Sequence, residues 1–333
     1  MDALENQLDA LGKGAHHEQD CGPAASQKWI APGVYRANAG GRQVTMLKVL
    51  QTSRCKNDCH YCEFRRSHDV KRDTLQPDEL ARHFLRLQRR HLVEGLFLSS
   101  GLGGPPDRSM SRMIDTVTLV LRGGFRGYVH LKILPGASDS AIDAATSIAD
   151  RVSVNLEAPT GERLARLADN KSFEQELMVP LRYAARKARR TRRLRSGIVT
   201  QFVIGGAGET DRELLSRTGE LYNEKLVKRA YYSAFSPPDS GPLAETPAAP
   251  HQRMVRLYQA DWLLRFFDFD AEEIPLDNAG SLSLEMDPKT AWAEQHPEFF
   301  PIELNEADPR ELLRVPGIGP TGVRRILRAR RME

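Results

Sequence analysis

Three cysteines fall within eight residues, in the run Cys55-Lys-Asn-Asp-Cys59-His-Tyr-Cys62, directly after a β-rich hydrophobic stretch. Thiolates at C-x-x-x-C-x-x-C spacing on one short loop suit an iron–sulfur cubane, which normally takes four cysteines. Three local ligands leave one iron with an open position, and an open iron can take a substrate or cofactor. Zinc is the bland alternative, with His60 or the distant Cys21 as fourth ligand. His60 adjoins Cys59, an awkward geometry for the same ion, and buried structural thiols give no reason for the interval.

A loop of this kind needs a scaffold, and the 333-residue chain can bury a large core in one big domain or two. Strand-like and helix-like segments alternate through its middle. Val44–Leu50, Gly95–Ser100, Tyr128–Leu134, Arg151–Glu157, Ile198–Gly205 and Ala230–Phe235 read as strands. Pro77–Leu92, Met110–Leu121, Ser138–Ala149, a helix beginning at Gly161–Leu167, and Asp211–Asn223 read as the helices between them. Six strand–helix units in this order indicate parallel crossovers, hence an α/β barrel or an open doubly wound sheet. Five prolines between Ser236 and Pro250 mark a connector. Met254–Phe269 reads as a packing helix whose aromatic stripe is core, and Asp277–Pro301 as a second loop region.

No apolar run is long enough to span a bilayer, and Met1–Asp20 lacks the apolar core of a signal peptide. Four cysteines, three in one loop, favour a reducing cytoplasm over a disulfide framework. The net charge is +4, but Arg182–Arg195 holds eight basic residues and no acidic one, and five arginines crowd the last ten positions. Nucleic acid is the natural partner for such patches, and a solvated helix face is the alternative.

Near the C-terminus, Asp308 can cap a short helix with Pro309 in its first turn and Glu311 completing a capping box. The helix runs into Pro316-Gly317-Ile318-Gly319-Pro320, and a second helix follows through Val323, Ile326 and Leu327. The pattern is similar to the helix-hairpin-helix motif, L-x-x-h-P-G-h-G. Free N–H groups at the start of its second helix would meet an anion. In that family the anion is a DNA phosphate, which implies contacts from Pro316, Gly317, Ile318, Gly319, Thr321, Arg324, Arg325 and Arg328. An ordinary tight turn, or a hairpin for protein contact, is the plain reading.

The cysteine loop, with Tyr61 before its last cysteine, resembles the C-x-x-x-C-x-aromatic-C signature of the radical S-adenosylmethionine (radical SAM) superfamily. The resemblance implies a partial (β/α)6 barrel with this loop at the C-terminal end of its first strand. It also implies a [4Fe–4S] cluster whose open iron chelates SAM, cleaved to methionine and a 5′-deoxyadenosyl radical. Ser99, Ser100 and Gly101 stand where the superfamily has a G-G-E-like stretch, without the acid. Ile204, Gly206 and Glu209 resemble part of its adenine-side motif, and Asn155 and Glu157 end the strand that supplies ribose or substrate contacts.

Nearly all residues from about Lys48 onward resemble a bacterial family of DNA modification/repair radical SAM proteins found beside uracil-DNA glycosylase-like partners. Arg151-Val-Ser-Val-Asn155, Tyr231-Tyr-Ser-Ala-Phe235 and Leu257-Tyr-Gln-Ala-Asp-Trp262 carry the match with the cysteine loop, Ser99-Ser100-Gly101 and the terminal hairpin. The implied domains are an N-terminal segment (1–42), the barrel (43–238), a Pro-rich connector with a packing helix (239–301) and a helix-hairpin-helix (302–333). DNA is the implied substrate, and flavodoxin or ferredoxin the implied kind of reductant. Two alternatives stay open: a radical SAM enzyme modifying RNA such as tRNA, and a non-enzymatic iron–sulfur protein that binds nucleic acid.

Overall fold

The computed structural model describes residues 3–15, 28–31, 33–39, 42–191 and 193–331. Cys21, most of the polar N-terminal stretch before β1, and Arg192 of the basic run lie outside the described residues. The chain divides into two units, Met1–Gly208 with Lys225–Ala249, and Glu209–Glu224 with Pro250–Glu333.

The first unit is built on one eight-stranded sheet in sequential order. Its strands are β1 (Lys28–Ala31), β2 (Val34–Ala39), β3 (Arg42–Leu50), β4 (Gly95–Ser99), β5 (Tyr128–Lys132), β6 (Arg151–Ser153), β7 (Gly197–Ile204) and β8 (Arg229–Ala234). From β3 to β8 every pairing is parallel, the half-barrel expected of six strand–helix units. β1 and β2 add an antiparallel hairpin to the outer side of β3, so β3 is hydrogen-bonded on both sides. The helices of this unit are α1 (Ala3–Gly14), α2 (Pro77–Arg89), α3 (Pro106–Arg122), α4 (Asp139–Ile148), α5 (Gly161–Leu167) and α6 (Val179–Ala188).

Local chemistry sets their starts. Pro77 opens α2, and the Glu79 carboxylate accepts from the Gln76 amide at 2.8 Å. Ser138 Oγ accepts from the Ala141 amide at 3.3 Å and starts α4, and Thr160 Oγ1 does the same for α5 from the Arg163 amide at 3.2 Å.

One expectation for this unit needs correction. Regular strand structure stops at Ser153 instead of running unbroken to Glu157, and the chain meets β7 again at Glu157, a left-handed residue at φ 63° that forms an isolated bridge with Phe202. The basic run is also largely engaged. Lys187 pairs with Asp143 at 2.8 Å, Arg195 with Asp150 at 3.2 Å, Arg182 with Glu174, and Arg193 donates to the Ile148 carbonyl.

The second unit holds α7 (Asp211–Asn223), α8 (His251–Phe266), α9 (Pro288–Gln295), α10 (Pro309–Arg314) and α11 (Pro320–Ala329). Arg253 ties it together, its Nε at 2.7 Å from Asp211 and a terminal nitrogen at 3.3 Å from Glu209. The expected loop over Asp277–Pro301 contains α9, which Asp287 caps by accepting from the Lys289 and Thr290 amides. On α8, Leu257 and Leu263 are buried, but Trp262 and Phe266 are about half exposed, so the aromatic stripe is only partly core.

The two terminal helices close on Leu312, Val323 and Ala307, with Ile318 packed against them. The turn between them is pinned by Lys289, whose Nζ donates to the Ile318 carbonyl at 2.6 Å. Gly317, at φ 82°, is the turn residue that needs glycine, whereas Gly319 is extended, a conformation open to any residue. Arg330 donates to the Leu304 carbonyl and, at 2.7 Å, to that of Ala307, so it holds the hairpin shut.

Burial, opposed by Asp287, holds Lys289 down to about 8 against an ordinary 10.5. The unfolded chain therefore binds more protons between those two values, and stability rises with pH across that window. Lys289→Met should remove the rise, as read from urea unfolding at several pH values from 8 to 10.5. An unchanged slope would show that this lysine is not held uncomfortably in the fold.

Candidate active site

The cysteine loop leaves β3 at Leu50 and returns at Asp73. Its ends are joined where the Ser53 amide donates to the Asp73 carbonyl at 3.0 Å and the Thr52 and Thr74 hydroxyls meet at 2.6 Å. Between them Arg72 acts as a staple. Its guanidinium donates to the carbonyls of Ser53 (3.1 Å), Phe64 (2.6 Å), Arg65 (2.8 Å) and His68 (2.6 Å). Buried Arg65 ties the loop to a second segment, donating to the Ser240 carbonyl and hydroxyl, each at 2.7 Å.

Cys55, Cys59 and Cys62 open onto one cleft. Tyr61, Ser100, Gly101, Asn155 and Glu157 line the same cleft. Ser99, Ile204 and Gly206 do not. Ser99 is buried at the end of β4, Ile204 is buried at the end of β7, and Gly206 lies where a Cβ would meet the Phe235 ring at 2.8 Å. Glu209 belongs to the second unit, beside Arg253.

Gly101 has a definite steric reason. Its amide donates to the Thr52 carbonyl at 2.7 Å, and a Cβ there would sit 2.4 Å from the Arg54 carbonyl oxygen. The next amide, Leu102, reaches the Cys55 sulfur at 3.4 Å. The β4 loop thus lies directly against the cysteine loop.

Sequence reading misses several polar groups of the cleft, among them Lys132, Lys171 and Gln201. Lys171, from the turn after α5, hydrogen-bonds Cys59 and is drawn toward Glu157. Burial works to lower its pKa, but those negative partners outweigh it and leave Lys171 above its usual value. Tyr61 donates to Glu157; burial first, then that carboxylate and the thiols, push the phenol well above its usual value. A lone lysine between two helices has no local signature, and only the fold brings it to the cysteines.

The donor set fits an iron–sulfur cluster. Burial raises the Cys59 thiol, and burial with the neighbouring Cys59 pushes Cys62 up to about 12. These are soft ligands screened from water that become thiolates on binding metal. His60 is engaged elsewhere, its Nδ1 3.1 Å from the Arg166 carbonyl oxygen. Among the described residues no three His, Cys, Asp or Glu side chains close on a single ion, whereas a cubane needs its thiolates spread around it.

The Radical SAM superfamily matches residues 49–216, half of the chain, including the whole cysteine loop. The chain belongs to the radical SAM superfamily. Its cofactors are a [4Fe–4S] cluster and S-adenosylmethionine, and when bound they supply a 5′-deoxyadenosyl radical. Solved structures show the same fold. HydG, a maturase of the [FeFe]-hydrogenase, superposes with a TM-score of 0.52 at 12% identity, over 65% of this chain and 48% of that one. The FeFe-hydrogenase maturase HydG from Carboxydothermus hydrogenoformans gives 0.51 at 12%, over 65% and 50%. Methylornithine synthase (PylB) gives 0.53 at 14%, over 79% and 68%. The chain thus spans about half the length of either HydG. No curated protein matches it by sequence. Among the described residues no helix of this radical SAM superfamily member is long and apolar enough to cross a membrane.

Proposed function

We propose that this radical SAM enzyme acts on DNA, in modification or repair of a base. In this reading Cys55, Cys59 and Cys62 hold the cluster, while Tyr61, Ser100, Gly101, Asn155 and Glu157 receive SAM. A flavodoxin or ferredoxin supplies the electron. The resemblance to the DNA modification/repair family suggests a uracil-DNA glycosylase-like partner.

The observation that carries the reading is the terminal hairpin. Pro316, Gly317 and Thr321 are exposed at its turn, and nothing surrounds the Gly317 Cα where a side chain would stand. No side chain caps α11, and Pro320 has no N–H, so the amides of Thr321 and Gly322 suit an incoming phosphate oxygen. Arg324, Arg325 and Arg328 are exposed on the same helix, the first donating to the Thr321 hydroxyl at 3.1 Å. Such contacts position a backbone and read no bases.

The test is a salt titration of DNA affinity for the full chain, a chain ending at Pro301, and a variant with Arg324, Arg325 and Arg328 replaced by alanine. The arginine variant should flatten the slope of log K against log salt by roughly 2–3, one per lost phosphate contact. Truncation should weaken binding further while leaving the cluster and SAM cleavage intact. Coincident curves for all three proteins would defeat the reading. DNA and RNA duplexes of matched sequence belong in the same experiment, along with 5′-deoxyadenosine release in the presence of each. Preference for RNA would move the assignment to RNA modification.

A further inference from the structure

The cysteine loop has no helix or strand of its own, so its order comes from side-chain contacts and from what its cysteines bind. Residues 236–249, which carry the chain from β8 to α8, likewise form no helix or strand. The Ala249 amide donates to the Phe235 carbonyl at 2.9 Å and joins the ends of this segment. Inside it, the Ala244 amide donates to the Gly241 carbonyl at 3.1 Å, and the Thr246 amide to that of Leu243 at 3.2 Å. A surface loop with its ends together and so little bonding within opens easily unless something outside holds it.

Arg65 holds it. Three residues after Cys62, its backbone amide and its guanidinium both donate to the Cys62 carbonyl, at 3.1 and 3.5 Å. Another nitrogen of the same guanidinium donates to the Ser240 carbonyl and hydroxyl, each at 2.7 Å. Gly241 admits this contact: it sits at φ 97°, and a Cβ there would stand 3.0 Å from that nitrogen. Arg65 is buried while Ser240 and Gly241 are exposed, so the segment lies over the guanidinium. Among the described residues, Arg65 is the side chain that hydrogen-bonds residues 236–249 from outside.

We propose that Arg65 is a clasp through which cluster binding orders residues 236–249. Cysteines drawn around a cluster fix Cys62, the Cys62 carbonyl fixes Arg65, and Arg65 fixes Ser240. Thiols that become thiolates on binding metal also bring negative charge toward the guanidinium, which favours the clasped arrangement. The loaded protein therefore presents a closed segment. The cluster-free protein presents one that opens to proteases at Glu245, an exposed residue. The inference rests on Cys55, Cys59 and Cys62 holding the cluster and not on the terminal hairpin binding DNA.

The test compares the full chain, cluster-loaded and cluster-free, by two rates. One is hydrogen exchange over residues 236–249, read relative to the amides of α3, and the other is cleavage after Glu245 by a glutamyl endopeptidase. Loading should slow both about tenfold or more in wild type, the effect of two hydrogen bonds from a charged donor. Arg65→Met should abolish the difference and leave the segment open in both forms. Gly241→Val should do the same from the other side, because it crowds the guanidinium and leaves every residue of the cysteine loop in place. If Arg65→Met takes up no cluster, Gly241→Val carries the test. Iron content per chain, measured alongside, reports the ligand assignment separately from the clasp. Equal rates in loaded and cluster-free wild type, or a loading effect that survives in either variant while it holds its iron, would overturn the proposal.

Discussion

Alanine at Cys55, Cys59 and Cys62 together should yield a folded protein that takes up no iron. Anaerobic reconstitution of the natural chain should load about four irons and give the broad visible absorption of a [4Fe–4S] centre. The effect is all-or-none because the three thiols are the soft donors that the cleft offers among the described residues. The measurement is iron and sulfide content beside the visible spectrum, with far-ultraviolet circular dichroism as the folding control. Retained iron in the triple variant, or zinc alone in the natural chain, would overturn the assignment of these residues as ligands.

Arg72→Met should be the most damaging change in the loop that spares the ligands. The guanidinium satisfies four carbonyls, two of them at 2.6 Å, in a segment with no helix or strand of its own. Hydrogen bonds from a charged donor each contribute roughly 1.5–3 kcal/mol, and oxygens left without a donor add a desolvation cost. Part of the arginine is wet, so a loss on the order of 3 kcal/mol is expected from the set. The variant should unfold at lower urea and lose its cluster faster in air. Arg72→Lys should recover little, because one ammonium cannot reproduce a planar fork reaching four acceptors. Unfolding midpoints and cluster lifetimes equal to those of the natural chain would show that the loop is held by other means.

Much of the scaffold was legible because it is written in local periodicity. The Asp211–Asn223 helix has the predicted ends, and Ser138 caps its helix as its residue type suggests. The cysteine loop was legible for a different reason: its chemistry is contiguous. What escaped depends on contacts distant in sequence. Glu157 adopts a left-handed turn that no glycine or asparagine announces, so the fourth strand read four residues too long. Arg72 and Lys171 are single basic residues whose roles exist only once the chain has folded around them. Gly206 and Glu209, which match a motif in spacing, lie past β7, one beside Phe235 and the other beside Arg253. The helix at Pro288 was a different kind of miss: Asp287-Pro288 is the same start signal as Asp308-Pro309, overlooked in a segment of low hydrophobicity.

The antiparallel hairpin at the margin of the sheet has a consequence for how the molecule breathes. In a bare run of six parallel strands, β3 would be an edge, with one row of amides open to solvent and prone to fray. With β2 laid against it, β3 is interior, and the outermost positions pass to β1 and β8. Partial opening starts where fewest bonds must break, so it begins at those margins and reaches β3 late. The strand from which the cysteines hang is thus shielded from the fraying that begins at β1 and β8.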